Sequence, residues 1–480
     1  MRSSFLYLAL IFLFTSCKKD VSLSNYGNYP VDIGRIISNN CAVSGCHNAK
    51  SYMAADNLNL ETWKTMFAGD NSGSPVIPYS SKFSSLCTFI NTYSDLGVQN
   101  VPVMPLNKKT LSHDEVKQIK DWVDRGAPDV NGTVMWADNP LRKKLYATNQ
   151  GCDVITVFDS ETQLPIRFIE TGRPGIADTP HQVRVSADGK FWYVIFINQN
   201  VMEKHSCSDE GLVANIGLTP LAAGTGTGNA LNWNTFIISK DSKRAYCVSL
   251  SGYICAVDLE NNKLLHFLGG LSSPHASALN GDGTKLYVGA QTGNYITELD
   301  TGFTSYNDIS LDGNGISQLS SLDIHDITLS PNNDDLFITC QKSNEVRVYN
   351  ISTSNITSIP VGVFPQEIIY STVMNQYFVS CPEDVTSFPG SRGVITKINA
   401  VNFATATIKC GYQPHGIAVD ENKKLLYVLS RNVLSTGPAP HHTSECGRNG
   451  FVNFIDLNTF TLLSKKYELS SDPYFIFARP

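Results

Sequence analysis

Charge is scarce in this chain. Only 17% of its 480 residues are Asp, Glu, Lys or Arg, the formal net charge is −6, and no long run of Lys or Arg occurs. Without a basic stripe, nucleic acid is not an expected partner. After the first few residues no apolar stretch reaches the length a membrane-spanning helix needs. No P-loop, Rossmann fingerprint or Ser-His-Asp order stands out. Twelve cysteines are too many for an average cytosolic enzyme and too few for a disulfide scaffold of this length. What is plentiful is Gly (35), Pro (22) and apolar surface (42%), which points to a β-rich, often exported protein and excludes global disorder. The length exceeds one ordinary core, so two domains, or a large repeat domain with a small partner, are expected.

The N-terminus suggests the compartment. Arg2 precedes an unbroken apolar run from Phe5 to Phe14, ten residues long. That is half of the roughly 20 residues needed to span a bilayer, and it suits the apolar region of a secretory signal. Thr15, Ser16 and Cys17 follow. This ending resembles a bacterial lipobox, although Phe14 stands where an aliphatic residue is usual, and Ser16 to Asp20 (SCKKD) looks like many Bacteroidetes lipoproteins. The resemblance implies a signal peptide over 1–16, cleavage before Cys17, lipid on its sulfur, and an anchor and tether over 17–30. Two or more acyl chains would hold the chain stably on the membrane. Lys18 and Lys19 are not followed by an acidic run, which favours the periplasmic face of the outer membrane. The alternative is an ordinary signal with an incidental cysteine.

Residues 31–133 read as a small all-α domain with long loops. VDIGRIISNN (31–40) has helical spacing through Val31, Ile33 or Ile36, and Ile37. Ser112 can cap a second helix, with Asp114 and Glu115 in its first turn, Val116, Ile119, Trp122 and Val123 as its apolar stripe, and Gly126 as its stop. Between the helices lies CAVSGCH, from Cys41 to His47. Two cysteines followed directly by His is the pattern of covalent haem attachment, here with four residues between the cysteines instead of two. The thiols would bond the haem vinyl groups, and His47 would ligate the iron. The run from Met104-Pro105 through the capped helix to Gly126-Ala127-Pro128 strongly resembles the C-terminal part of class I cytochromes c. That resemblance implies haem c on Cys41 and Cys46, with His47 and Met104 as iron ligands, and a redox partner protein. His113 is a poorer ligand than Met104 because it sits in the helix's first turn. The alternative is a Cys41–Cys46 disulfide, a surface His47 and a Met104 that only packs.

From 140 to 480 the pattern changes to short strands. PHQVRVSADGKFWYVIF (180–196), PHASALNGDGTKLYVGA (274–290), IHDITLSPNNDDLFITC (324–340) and PHGIAVDENKKLLYVLS (414–430) repeat one unit, and 233–250 and 365–381 are degenerate copies. Matching second residues lie 53, 41, 50, 41, 49 and 59 residues apart. Four strands per unit of this size is propeller spacing. The segment 143–172 lacks a first strand and 472–480 supplies only one, so the C-terminus should complete the first of seven blades and close the ring. These repeats resemble the YVTN family of β-propellers, which includes the propeller of nitrous oxide reductase. The resemblance implies fold and says little about activity.

The second residue of each repeat reads Tyr474, His181, Asn234, His275, His325, Gln366 and His415 around the ring. Four of ten histidines thus share one position, which should open the innermost strand and face the channel. Converging imidazoles could hold copper or another nitrogen-preferring metal. Alternatively they pair with loop carbonyls and water, or line a metal-free pocket. The long loop with His441, His442 and Cys446, together with 382–393, could cover the same mouth. His205 and Cys207 give a weak metal hint against a packing role, and most remaining cysteines should be buried apolar side chains. Cytochrome cd1 has a similar layout with eight blades. Three readings follow: an electron-transfer lipoprotein whose propeller docks a partner or ligand, an oxidoreductase whose haem serves a metal in the propeller, and a non-redox binding module.

Overall fold

A computed structural model describes residues 26–220, 229–384, 386, 391–432 and 450–480. Cys17, His441, His442 and Cys446 lie outside these. Residues 140–480 form a seven-bladed β-propeller of four-stranded antiparallel sheets. Blade 1 is ordered Pro473–Ala478, Lys144–Asn149, Val154–Asp159, Pro165–Glu170, so the C-terminal strand is its innermost. It pairs Leu145 with Ala478 and Asn149 with Pro473, closing the ring as the repeat count implied. Blades 2 to 7 run consecutively from there.

Two repeated positions build each blade. The third residue of every second strand is aromatic and buried: Tyr146, Tyr193, Tyr246, Tyr287, Phe337, Phe378 and Tyr427. Such rings bury large area at little conformational cost and fill the space between twisted sheets. At the end of the third strand an Asp or Asn (Ser206 in blade 2) accepts backbone N–H groups from the turn that follows, as Asp258 does from Glu260 and Asn350 from Thr353, both at 2.9 Å. That is the physical reason the repeat keeps a short acceptor side chain there.

The N-terminal region holds α1 (Val31–Asn40), α2 (Trp63–Met66), α3 (Ser85–Phe89) and α4 (His113–Asp124). Apart from one isolated bridge, Asp70 with Gly73, its regular structure is helical. Two of the four helices are a single turn, however, and loops hold most of the region, so it is less regular than an all-α domain. Ser112 and Glu115 form the expected capping box of α4, and Val116, Ile119, Trp122 and Val123 are buried. In α1, Ile33, Ile36 and Ile37 are buried. Val31 is 40% exposed, because it is the first residue of the helix and lies beyond the packed turn.

This region packs on the rim of blade 1. Phe83 stacks on Phe168 (4.8 Å, 12°), Ser74 Oγ donates to Pro165 O (2.6 Å), and Lys82 pairs with Glu170 (2.6 Å). One apolar cluster runs unbroken from α1 and α4 into blades 1, 2 and 7.

Candidate functional sites

The first site begins where α1 ends. Cys41 caps the helix, its N–H donating to Ile37 O (2.8 Å), and its side chain is buried. The six-residue loop then folds back: Cys46 N–H donates to Val43 O and His47 N–H to Cys41 O, each at 3.1 Å. Gly45 permits this turn, having φ +81° and open space where a Cβ would stand. The closure brings the His47 backbone against Cys41 at the end of the helix. Cys41 and Cys46 are separate thiols and not a disulfide. Burial, then the neighbouring Cys46, pushes the Cys41 thiol up to about 12, so it is protonated at neutral pH.

His47 is oriented by its Nδ1–H, which donates to Leu58 O (3.1 Å). Its Nε2 makes no hydrogen bond among the described residues, leaving the lone-pair nitrogen that a metal-ligating imidazole presents. Met104 is held by its backbone N–H to Phe89 O (2.8 Å) and packs against the same cluster that contains Cys41. The Met104 loop also exposes Val98 (57%), Val101 (84%) and Leu106 (53%), and Met53 on the loop after His47 is 71% exposed. Single apolar side chains this exposed on these loops are the kind of surface a large apolar group could cover. His113 is occupied otherwise: its Nε2 lies 2.8 Å from Asp95 Oδ2 and its ring packs edge-on against Tyr93.

The second site is the propeller channel. His181, Asn234, His275, His325, Gln366 and Tyr474 line a cavity of about 620 Å³ at one mouth. His415 is fully buried beside them. The rings run in sequence around the axis: Tyr474–His181 4.4 Å, His181–His275 6.3 Å, His275–His325 4.4 Å, His325–His415 5.4 Å and His415–Tyr474 3.8 Å between centroids. Three imidazoles are tied to the next blade. Nδ1–H of His181 donates to Asn234 O (2.6 Å), of His275 to His325 O (2.7 Å) and of His415 to Tyr474 O (3.0 Å). The repeated histidine therefore has a structural task, stitching adjacent blades at the mouth. Burial lowers the His275 ring to about 4, so it is neutral near pH 7.

His325 departs from that pattern. Its Nδ1 faces Glu367 Oε1 at 3.9 Å, and Nδ1 of His415 lies 3.8 Å from the same oxygen. His325, Glu367 and His415 each bring a donor atom within 4.8 Å of the others, and all three are buried. His181 and His275 do not join this group, so the four histidines do not gather round one centre. Below it Glu367 and Asp326 hydrogen-bond to each other, and Arg184 stands beyond, over Phe475 and Phe477. Burial first, then Asp326, raises the Glu367 carboxyl well above the usual range, and burial raises Asp326 as well. A second cavity of about 880 Å³ opens from these groups toward the other end of the inner strands.

Glu367 and Asp326 escaped the sequence reading. In a regular strand the neighbour of a channel-facing residue points away. Here the inner strands shift register at their heads, between Pro180 and Gln182, Trp233 and Thr235, Pro274 and Ser277, Ile324 and Ile327, and Pro414 and Ile417. A bulge lets two consecutive residues reach the channel. The available signal was the acid that directly follows the repeat's second residue in two successive units. His205 and Cys207 make no site: His205 Nε2 pairs with Glu203 (2.9 Å) and stacks on Trp192 (3.8 Å), while Cys207 is a buried thiol. Among the described residues nine cysteines are free, and of these only Cys46 is not buried, in line with the packing expectation; Cys152 is disulfide-bonded.

No family model matches the chain, and no curated protein matches it. Among solved structures it is similar to hydrazine synthase of Kuenenia stuttgartiensis, with 15% identity and a TM-score of 0.45 over 60% of this chain and 81% of that one. It is also similar to a functionally unknown protein from Desulfotomaculum acetoxidans DSM 771, with 11% identity and a TM-score of 0.49 over 69% of this chain and 99% of that one. Likenesses this distant carry no functional argument, and the propeller rests on its own sheet topology.

Proposed function

We propose that this protein is a haem c electron-transfer lipoprotein of the cell envelope, with a propeller that docks a redox partner or ligand. The observation that carries the reading is the folded Cys41–His47 loop. It sets two free thiols beside a buried core and an imidazole whose other nitrogen is already fixed by Leu58 O. Cys41 and Cys46 would hold haem c covalently, with His47 and Met104 on its iron. A bound haem c supplies a one-electron couple, and thioether ligation raises its potential. The residue types suit that group: two free thiols and an imidazole stand on one loop, and the loops of His47 and Met104 carry exposed apolar side chains. In this reading 31–133 is a cytochrome c-like domain and 140–480 the propeller. The lipid on Cys17 and an outer-membrane position facing the periplasm are proposed from the N-terminal sequence alone.

The test is a pyridine haemochrome spectrum and a haem-stained denaturing gel on protein made with cytochrome c maturation intact. One covalent c-type haem per chain is expected. A chain that matures without haem would leave the non-redox binding module. The group His325, Glu367 and His415 favours the second reading, an oxidoreductase with a metal in the channel, and it is taken up next.

A further inference from the structure

We infer that the propeller channel holds a divalent transition-metal cation on His325, His415 and Glu367. Two imidazoles and one carboxylate form a ligand set suited to zinc, iron or copper. This inference does not depend on the haem reading.

Four observations converge on it. First, the three donor atoms lie within 4.8 Å of one another, whereas tetrahedral donors at about 2.1 Å from one ion stand about 3.4 Å apart, so the group must close by up to about 1.4 Å to bind. Second, His415 is already oriented as metal-binding imidazoles are, its Nδ1–H held by the Tyr474 carbonyl at 3.0 Å. Third, the Nδ1 atoms of His325 and His415 lie 3.9 and 3.8 Å from one and the same oxygen, Glu367 Oε1, so the carboxylate stands between the two rings. Fourth, the cavity above the group contains buried polar atoms with no hydrogen-bond partner among the described residues: Oδ1 and Nδ2 of Asn234, and Oε1 of Gln366. A buried amide left unpaired costs about 1–3 kcal/mol, so these groups call for ordered water or a coordinated ligand in the mouth.

The experiment uses the full chain as isolated, stripped by chelator and then given Zn2+ alone or Cu2+ alone. After desalting, bound zinc or copper is counted per chain. One zinc or copper per chain is expected, and the Cu2+ paramagnetic resonance spectrum should show imidazole nitrogen. Glu367→Gln and His325→Gln should each weaken binding at least tenfold, while His181→Gln, outside the group, should stay within twofold. The melting temperature and β-sheet circular dichroism of each variant control for folding. A folded chain that takes up no second metal overturns the inference. So does a metal that survives Glu367→Gln, or a copper spectrum with thiolate and no imidazole ligation, because the ion would then sit elsewhere. Neither result bears on the haem, whose proposed ligands lie within 31–133.

Discussion

The two regions of this molecule carry their information differently. Residues 31–133 contain little regular structure, and their chemistry is written locally: two thiols and an imidazole within seven residues, a thioether further on, and a capped helix. The propeller repeats its fold signal seven times, yet no single repeat states its chemistry. In the channel His325, Glu367 and His415 come from three successive blades. Local motifs survive in irregular chain because covalent proximity brings their groups together. A convergent site depends on closure of the whole ring.

The largest expected effect separates the two outright. Replacing Cys41 and Cys46 together by Ser should abolish haem-stained protein on a denaturing gel while the β-sheet circular dichroism of the propeller persists. Retained covalent haem would sink the assignment.

The next tests whether the regions are energetically distinct. Trp122 is fully buried and donates its Nε1–H to Pro128 O at 2.9 Å. Trp122→Ala should destabilise the α4 packing by about 3–5 kcal/mol. Its apolar cluster continues into blades 1, 2 and 7, so calorimetry should show the first blade losing stability with the helices. An early helical transition with an unchanged propeller transition would mean that the shared cluster does not couple them.

Met104→Ala should remove the weak near-infrared sulfur-to-iron band of the ferric protein and lower the potential, because a harder ligand or water favours ferric iron. An unchanged band and potential would assign the sixth position to another side chain.

The smallest effect belongs to the repeat. The backbone N–H of Ser305 holds the Asp300 carboxylate down at about 2, below its usual value. A group depressed in this way stabilises the fold above the unfolded pKa of about 3.9, and the contribution fades as pH falls toward 2. Asp300 is exposed, so the loss should be slight. Asp300→Asn keeps an acceptor without titrating and should flatten that acid limb of the melting curve. An identical limb in the variant would remove Asp300 as its source.

Much of the architecture was legible without coordinates. The spacing of Tyr474, His181, Asn234, His275, His325, Gln366 and His415 implied seven blades, and the missing strand before Lys144 implied closure by 472–480. Ser112, Glu115 and the stripe from Val116 to Val123 marked α4 because capping and helical periodicity are local rules. The regularity expected of 31–133 was overestimated, because loops there are held by backbone bonds such as His47 N–H to Cys41 O and Met104 N–H to Phe89 O, which leave no periodic trace.

The sequence by itself determined the repeat, the blade count, the helix caps and the residues of the Cys41–His47 motif, since each depends on neighbours in the chain or on a fixed period. Only the tertiary structure decided which channel residues meet. The bulge at the head of its strand turned Asp326 inward beside the histidines, and Gln366 and Glu367 share Ser380 as backbone partner in the same two-against-one way. Three imidazoles were tied to neighbouring carbonyls, while Nδ1 of His325 was left facing Glu367. Those outcomes follow from register and from ring closure, which relate residues 40 to 300 positions apart, and no local pattern encodes them.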